Sequence, residues 1–289
     1  MIEKRLIMKI AILGERNRAS AWEKHLRKLS AISEVVITSS IPVKDSVDAA
    51  ILLDNTDLKL NSLEQLIKLG IHSYLVSQLP LDEKALEKIH YSAQEANVRV
   101  QFSHWPSLAP ASLWMKQKIQ KPNLIQIKRE VKFLSGAIDQ TKIDHHWIDE
   151  VAWIIKELGG NVHRIEAKPM IINQVRLGLN ITLRYEDSSV ASIQFSALGG
   201  SNHHQRTISD DNMVIDCDAI DQLVHLYRLN DFGNLKEETK KFDPKSTAEI
   251  SVLQFIKSIQ LERDTLFNAY NALQTAKIVD RIYQQIRKF

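Results

Sequence analysis

Between Ile143 and Gly160 the chain reads IDHHWIDEVAWIIKELGG, which puts a histidine at the head of a strongly patterned segment. Trp147, Val151, Ile154 and Leu158 recur at helical spacing, with Ile148 and Ile155 beside them, so one face can be buried. Asp144 is a candidate N-cap, and Gly159-Gly160 is a stop signal. His146 then falls in the first turn, where a helix meets a loop and a ligand can approach. An imidazole placed there can exchange protons near neutral pH. The same pattern suits a half-buried, hydrogen-bonded histidine, because periodicity reports packing and not chemistry.

A second stretch with chemical content is Gly14-Glu15-Arg16-Asn17-Arg18-Ala19, which follows the apolar run Ile10–Leu13. A dinucleotide site needs small residues here, for a tight turn, for approach of the pyrophosphate and for helix–strand packing. Gly14 serves the turn and Ala19 the third position. Arg16 stands in the second, where it would crowd a phosphate or reach round to pair with one. A doubly wound domain without a working nucleotide site fits the loop equally well. Ser39-Ser40 end the second apolar run, where an acid would hold a ribose hydroxyl. With hydroxyls there instead, NAD or NADP is expected with a slight lean to NADP. Asn55, at the end of the third run, is placed to contact ribose or nicotinamide.

Other clusters are weaker. His145-His146 and His203-His204 invite a metal reading, but adjacent histidines on a helix point apart, so no metal site is expected. Trp105 is a candidate to stack on a nicotinamide or a sugar, or to pack locally. Arg206 is a minor candidate near a substrate or a partner. Cys217 is the one cysteine. It excludes an internal disulfide and reads as packing rather than as a nucleophile.

Helices and strands must position these groups. Short apolar runs at Ile10–Leu13, Val35–Thr38, Ala49–Leu53, Ser73–Val76 and Val98–Phe102 alternate with helical segments. That order predicts an α/β domain over 1–120, with a doubly wound parallel sheet covered on both faces. Beyond it, alternating segments at Val162–Ala167, Leu179–Tyr185, Val190–Phe195, His203–Ile208 and Asn212–Cys217 predict a largely antiparallel open sheet over 121–289. Two helices, Thr247–Leu261 and Thr265–Arg287, close this second α/β domain.

The chain has 289 residues, 44% hydrophobic and 25% charged, with a net charge of +3. The charges are interleaved, which argues against a nucleic-acid partner. No apolar run spans a bilayer and no signal-peptide core is present, so a cytoplasmic protein is expected.

Together these parts resemble the glucose–fructose oxidoreductase / inositol dehydrogenase / rhizopine catabolism family of NAD(P)-dependent oxidoreductases. Lys9–Gly14 looks like the family's opening strand and turn. Gly70–Leu81 looks like its G-K-H-V-L-x-E-K-P-L segment, His146–Asp149 with Trp153–Gly160 like its H-x-I-D helix, and Asp264–Ile286 like its closing helix. The resemblance implies an N-terminal Rossmann domain, a C-terminal α/β domain whose sheet pairs subunits into a homodimer or homotetramer, and a sugar or polyol substrate beside the nicotinamide. It also implies a catalytic lysine and an Asp…His pair. Here Gln78 stands for the family's glutamate, Leu79 for its lysine, and Lys142 for the aspartate four residues before His146. Two expectations follow. Either Lys142 takes the cation's place beside His146 as acid/base, or the chain is a catalytically silent relative that binds a ligand or a protein.

Overall fold

The computed structural model describes residues 7–53, 59–132 and 139–289. The chain forms two compact units. The first runs to Leu108 and takes back Ser246–Leu273; the second comprises Ala109–Lys245 and Gln274–Phe289. Sequence patterning assigned all of 121–289 to one domain. Residues 246–273 join the first unit because a helix within them, α7 (Thr247–Gln260), carries an apolar face. Val252, Phe255, Ile256 and Ile259 are buried in the same core as Ile10, Ile12 and Ile51.

In the first unit, β1 (Met8–Leu13), β2 (Ile32–Thr38), β3 (Ala49–Leu52), β4 (His72–Leu75) and β5 (Val100–Phe102) form one sheet. Its order is β2-β1-β3-β4-β5, and every pairing is parallel. The crossovers use α1 (Arg16–Leu26), α2 (Lys59–Lys68) and α3 (Glu83–Glu95). β3 is wholly buried, as a sheet covered on both faces requires. The direction of winding reverses between β1 and β3, so their outgoing loops part at the carboxyl edge, where ligands bind in such sheets. α4 (Trp105–Leu108) follows β5; patterning did not anticipate it.

The second unit opens with α5 (Pro110–Lys118), also unanticipated, and is built on eight strands. They are β6 (Leu124–Lys132), β7 (Val162–Ile172), β8 (Val175–Tyr185), β9 (Val190–Gly199), β10 (His203–Ser209), β11 (Met213–Asp218), β12 (Leu223–Leu229) and β13 (Leu235–Lys241). The order is β13-β12-β11-β10-β6-β9-β8-β7. All pairs are antiparallel except β6 with β9. Patterning missed β12 and β13. β13 is exposed along its length, so no alternation marks it.

One face of this sheet is covered by α6 (Gln140–Leu158). Trp147, Val151, Trp153 and Ile154 are fully buried there, each contributing about 2 kcal/mol of transfer free energy. The helix starts earlier than expected. Asp139 is the N-cap, its side chain accepting from the amides of Thr141 and Lys142. Asp144 therefore does not cap. It lies in the second turn, where its carboxylate accepts from Trp147 Nε1 and from the Tyr283 hydroxyl and pairs with Arg176. His146 moves to the second turn with it. The stop holds as expected, with Gly159 at φ +88°. The closing helix, α8 (Ala269–Ile286), begins in the first unit and ends in the second. Among the described residues no helix is long and apolar enough to cross a membrane.

Candidate functional site

Two groupings emerge, one in each unit. At the carboxyl edge of the parallel sheet, β1 ends in Gly14 at φ +149°. A Cβ on Gly14 would sit 2.8 Å from the Cβ of Leu53, so the fold itself demands glycine there. Ala19 is fully buried in the core beside β1, which lets α1 pack close. The start of α1 is open. Glu15 makes no side-chain cap, the first turn holds no acid, and Arg16, Asn17 and Arg18 are exposed. Free amides, the positive end of the helix dipole and two guanidinium groups make a donor set that suits a pyrophosphate.

Ser39 and Gln78 lie exposed on the same edge, after β2 and β4. The loop holding Gln78 is fixed by Ser103, whose hydroxyl takes the Ser77 amide and gives to the Ser77 carbonyl, both at 2.9 Å. Leu79 is buried at 7% exposure and offers no polar atom. Asn55 lies outside the described residues. Trp105 stacks on Trp22 at 6.2 Å between ring centroids, so its indole serves the first unit's own packing.

In the second unit, the inward side of α6 meets a row of side chains from three adjacent strands. Register aligns His204 of β10 with Arg129 of β6, and Arg129 with Phe195 of β9. Above them sits Glu150, fully buried. Its carboxylate takes Arg129 at 2.7 Å, His204 at 3.0 Å and Arg206 at 2.9 Å. Burial alone would raise this carboxyl, but Arg206, His204 and Arg129 outweigh it and hold it well below the usual range.

Arg129 also binds His146. One guanidinium nitrogen donates to the His146 carbonyl at 2.9 Å and the other to His146 Nδ1 at 2.8 Å. Arginine has no acceptor, so Nδ1 must accept, and the neutral ring carries its hydrogen on Nε2. The ring lies beside Phe195, centroids 6.2 Å apart and planes inclined by 29°. Burial, and then the Arg129 charge, push its pKa down to about 4. The ring is therefore neutral near pH 7.

Lys142 is one turn away from His146 on the same helix, yet its ammonium lies 3.5 Å from Asp139 and is largely exposed. The cation beside His146 is Arg129. Arg206 is buried, stacked over Trp153 at 4.7 Å, and serves the Glu150 cluster. Cys217 is buried, which pushes its thiol up to about 12. Among the described residues no group of three or more His, Cys, Asp or Glu side chains is arranged to hold a metal.

In the sequence, Arg129 and Glu150 are not singled out by motif, and His204 enters only as half of a histidine pair. A signal was present. Strand alternation places Arg129 on the face of Ile125 and Ile127, and His204 on the face of Arg206 and Ile208, all inward.

Neither a family model nor a curated protein matches this sequence. Solved structures do match in fold. A UDP-N-acetylglucosamine 3-dehydrogenase from Acidithiobacillus ferrooxidans aligns over 98% of this chain and 98% of its own, with a TM-score of 0.80 at 14% identity. An NAD-binding oxidoreductase from Klebsiella pneumoniae aligns over 97% of this chain and 96% of its own, with a TM-score of 0.81 at 14% identity. An oxidoreductase from Agrobacterium radiobacter, in complex with NAD+, L-tartaric acid and magnesium, aligns over 97% and 96%, with a TM-score of 0.77 at 8% identity. The fold is thus the one these oxidoreductases share, as the resemblance implied, across nearly the whole chain.

Proposed function

We propose that this chain is an NAD(P)-dependent oxidoreductase acting on a sugar-like or other small hydroxylated or carbonyl substrate. The observation that carries this reading is the edge of the parallel sheet. There the Gly14 turn leads into a helix with no cap, no acid in its first turn and two exposed arginines. Gly14 and Arg16 would hold the pyrophosphate, with the buried Ala19 letting α1 pack close to the turn. Ser39 takes the adenosine ribose, where the lack of an acid leans the preference to NADP. Gln78 stands on the same edge. Bound there, the nicotinamide supplies or accepts hydride. In the second unit, His146 offers a hydrogen at Nε2 to an acceptor oxygen; in the first, the buried Leu79 offers no polar atom.

Titration of the chain with NADH and NADPH, followed by nucleotide fluorescence or calorimetry, tests the proposal. Saturable binding of either supports it, tighter binding of NADPH supports the lean to NADP, and no binding of both overturns it. The buried Leu79, standing where the resemblance implies a lysine, favours the second reading in that event: a silent relative that binds a ligand or a protein.

A further inference from the structure

We propose that Arg129 is a positioning residue that locks the His146 imidazole in its Nε2–H form, so that His146 meets substrate only as a hydrogen-bond donor. This rests on the reading that His146 faces the substrate. It adds a specificity: the ring gives a hydrogen bond to a substrate oxygen, carbonyl or hydroxyl, and does not take up the hydroxyl proton.

Three observations support the lock. Arg129 grips His146 at two points, the backbone carbonyl and Nδ1, at 2.9 and 2.8 Å. Arg129 is itself held by the fully buried Glu150 at 2.7 Å. Glu150 in turn is held by Arg206, which is 2% exposed. The guanidinium fork is planar, so fixing it at Glu150 fixes the direction of the N–H aimed at His146. Phe195 lies beside the ring, its centroid 6.2 Å away. Nε2 is then the ring nitrogen left for a ligand, and in a neutral ring it holds the hydrogen. Taking a proton from an alcohol at Nε2 would require the hydrogen to move to Nδ1, which Arg129 occupies. A substrate oxygen that only accepts from Nε2 meets no such conflict, and the proton that the alkoxide gains or loses is then exchanged with solvent and not with the ring.

The charged and titratable groups around the ring are Arg129 on β6, His145, Asp149 and Glu150 on α6, and His204 on β10.

The test is nitrogen NMR of the full chain labelled at histidine, with the His146 signals assigned by their loss in His146→Asn. The proposal expects a protonated Nε2 and a bare Nδ1, unchanged in tautomer from pH 5.5 to pH 8, an interval chosen to bracket the ordinary histidine range. A protonated Nδ1, or conversion to the doubly protonated ring within that interval, overturns it. This half needs no variant of Arg129. In Arg129→Met the ring should lose its single tautomer and regain ordinary titration; an unchanged tautomer in a folded Arg129→Met chain also overturns it. Arg129→Lys, which keeps the charge but not the fork, should restore the tautomer only in part. The spectrum is read without nucleotide. Failure of nucleotide binding therefore removes the proposed function and leaves the lock standing, whereas a wrong tautomer alongside saturable NADPH binding removes the lock alone.

Discussion

At the scale of single residues, the second unit turns on one carboxylate. Glu150 is fully buried and answers two guanidinium groups and an imidazole. Glu150→Gln leaves the two guanidinium groups without compensation in a low-dielectric place, and a loss of about 3–5 kcal/mol is expected in urea unfolding. Its neighbour Asp149 is the opposite case. Burial raises its carboxyl from the ordinary 3.8 to about 7. A raised folded-state pKa contributes stability that is full below about 4 and lost as pH climbs through about 7. His146 runs the other way. Its pKa falls from 6.5 to about 4, so its contribution is present above 6.5 and lost as pH drops toward 4. The two oppose each other in the intact protein, and substitution separates them. Asp149→Asn should gain on the parent chain as pH rises from 4.5 to 8, an interval set by that shift. Denaturation midpoints at both ends measure the gain, and a difference independent of pH would contradict it.

At the scale of elements, α6 is set by its two ends. Asp139 and not Asp144 starts the helix, because Asp144 is engaged by Arg176, Tyr283 and Trp147. A carboxylate within a buried network has no lone pair to spare for the first-turn amides. At the other end Gly159 holds φ +88° and ψ −179°, a region nearly closed to other residues. A Cβ there would meet nothing within 4 Å, so Gly159→Ala isolates backbone strain from crowding. About 1–3 kcal/mol of lost stability is expected from the shift in the thermal or urea midpoint. α1 is built differently: its start is left without a cap, and a helix end with unsatisfied amides is free to take an anion.

At the scale of the whole molecule, the long sheet of the second unit has one face under α6 and one open. Thr207, Asp216 and Tyr227 on the open face are half-buried, and Val214 beside them is 40% exposed. We propose this face as the surface that pairs two or four copies of the chain. Val214→Glu would place a charge in such an interface, and light scattering on a sizing column should then report a single chain where the parent gives a multiple. Equal masses for both would remove the pairing from this face.

Much of this was legible along the chain. Short apolar runs broken by helices meant a parallel sheet, because strands buried on both faces can spare no polar positions. Alternation after residue 160 meant an antiparallel sheet with one face wet, and the positions of Gly14, Ala19 and Gly159 followed from turn and packing sterics. These features are local, so a few consecutive residues carry them. The partner of His146 was not legible. Arg129 lies 17 residues upstream and His204 58 residues downstream of it, and strand register alone brings them under Glu150. Whether Asp144 capped a helix, whether Lys142 reached His146, and whether 246–273 joined the first unit were likewise settled by tertiary packing. A side chain's protonation and reach depend on neighbours that arrive through space, and no spacing along a chain encodes which of them will be there.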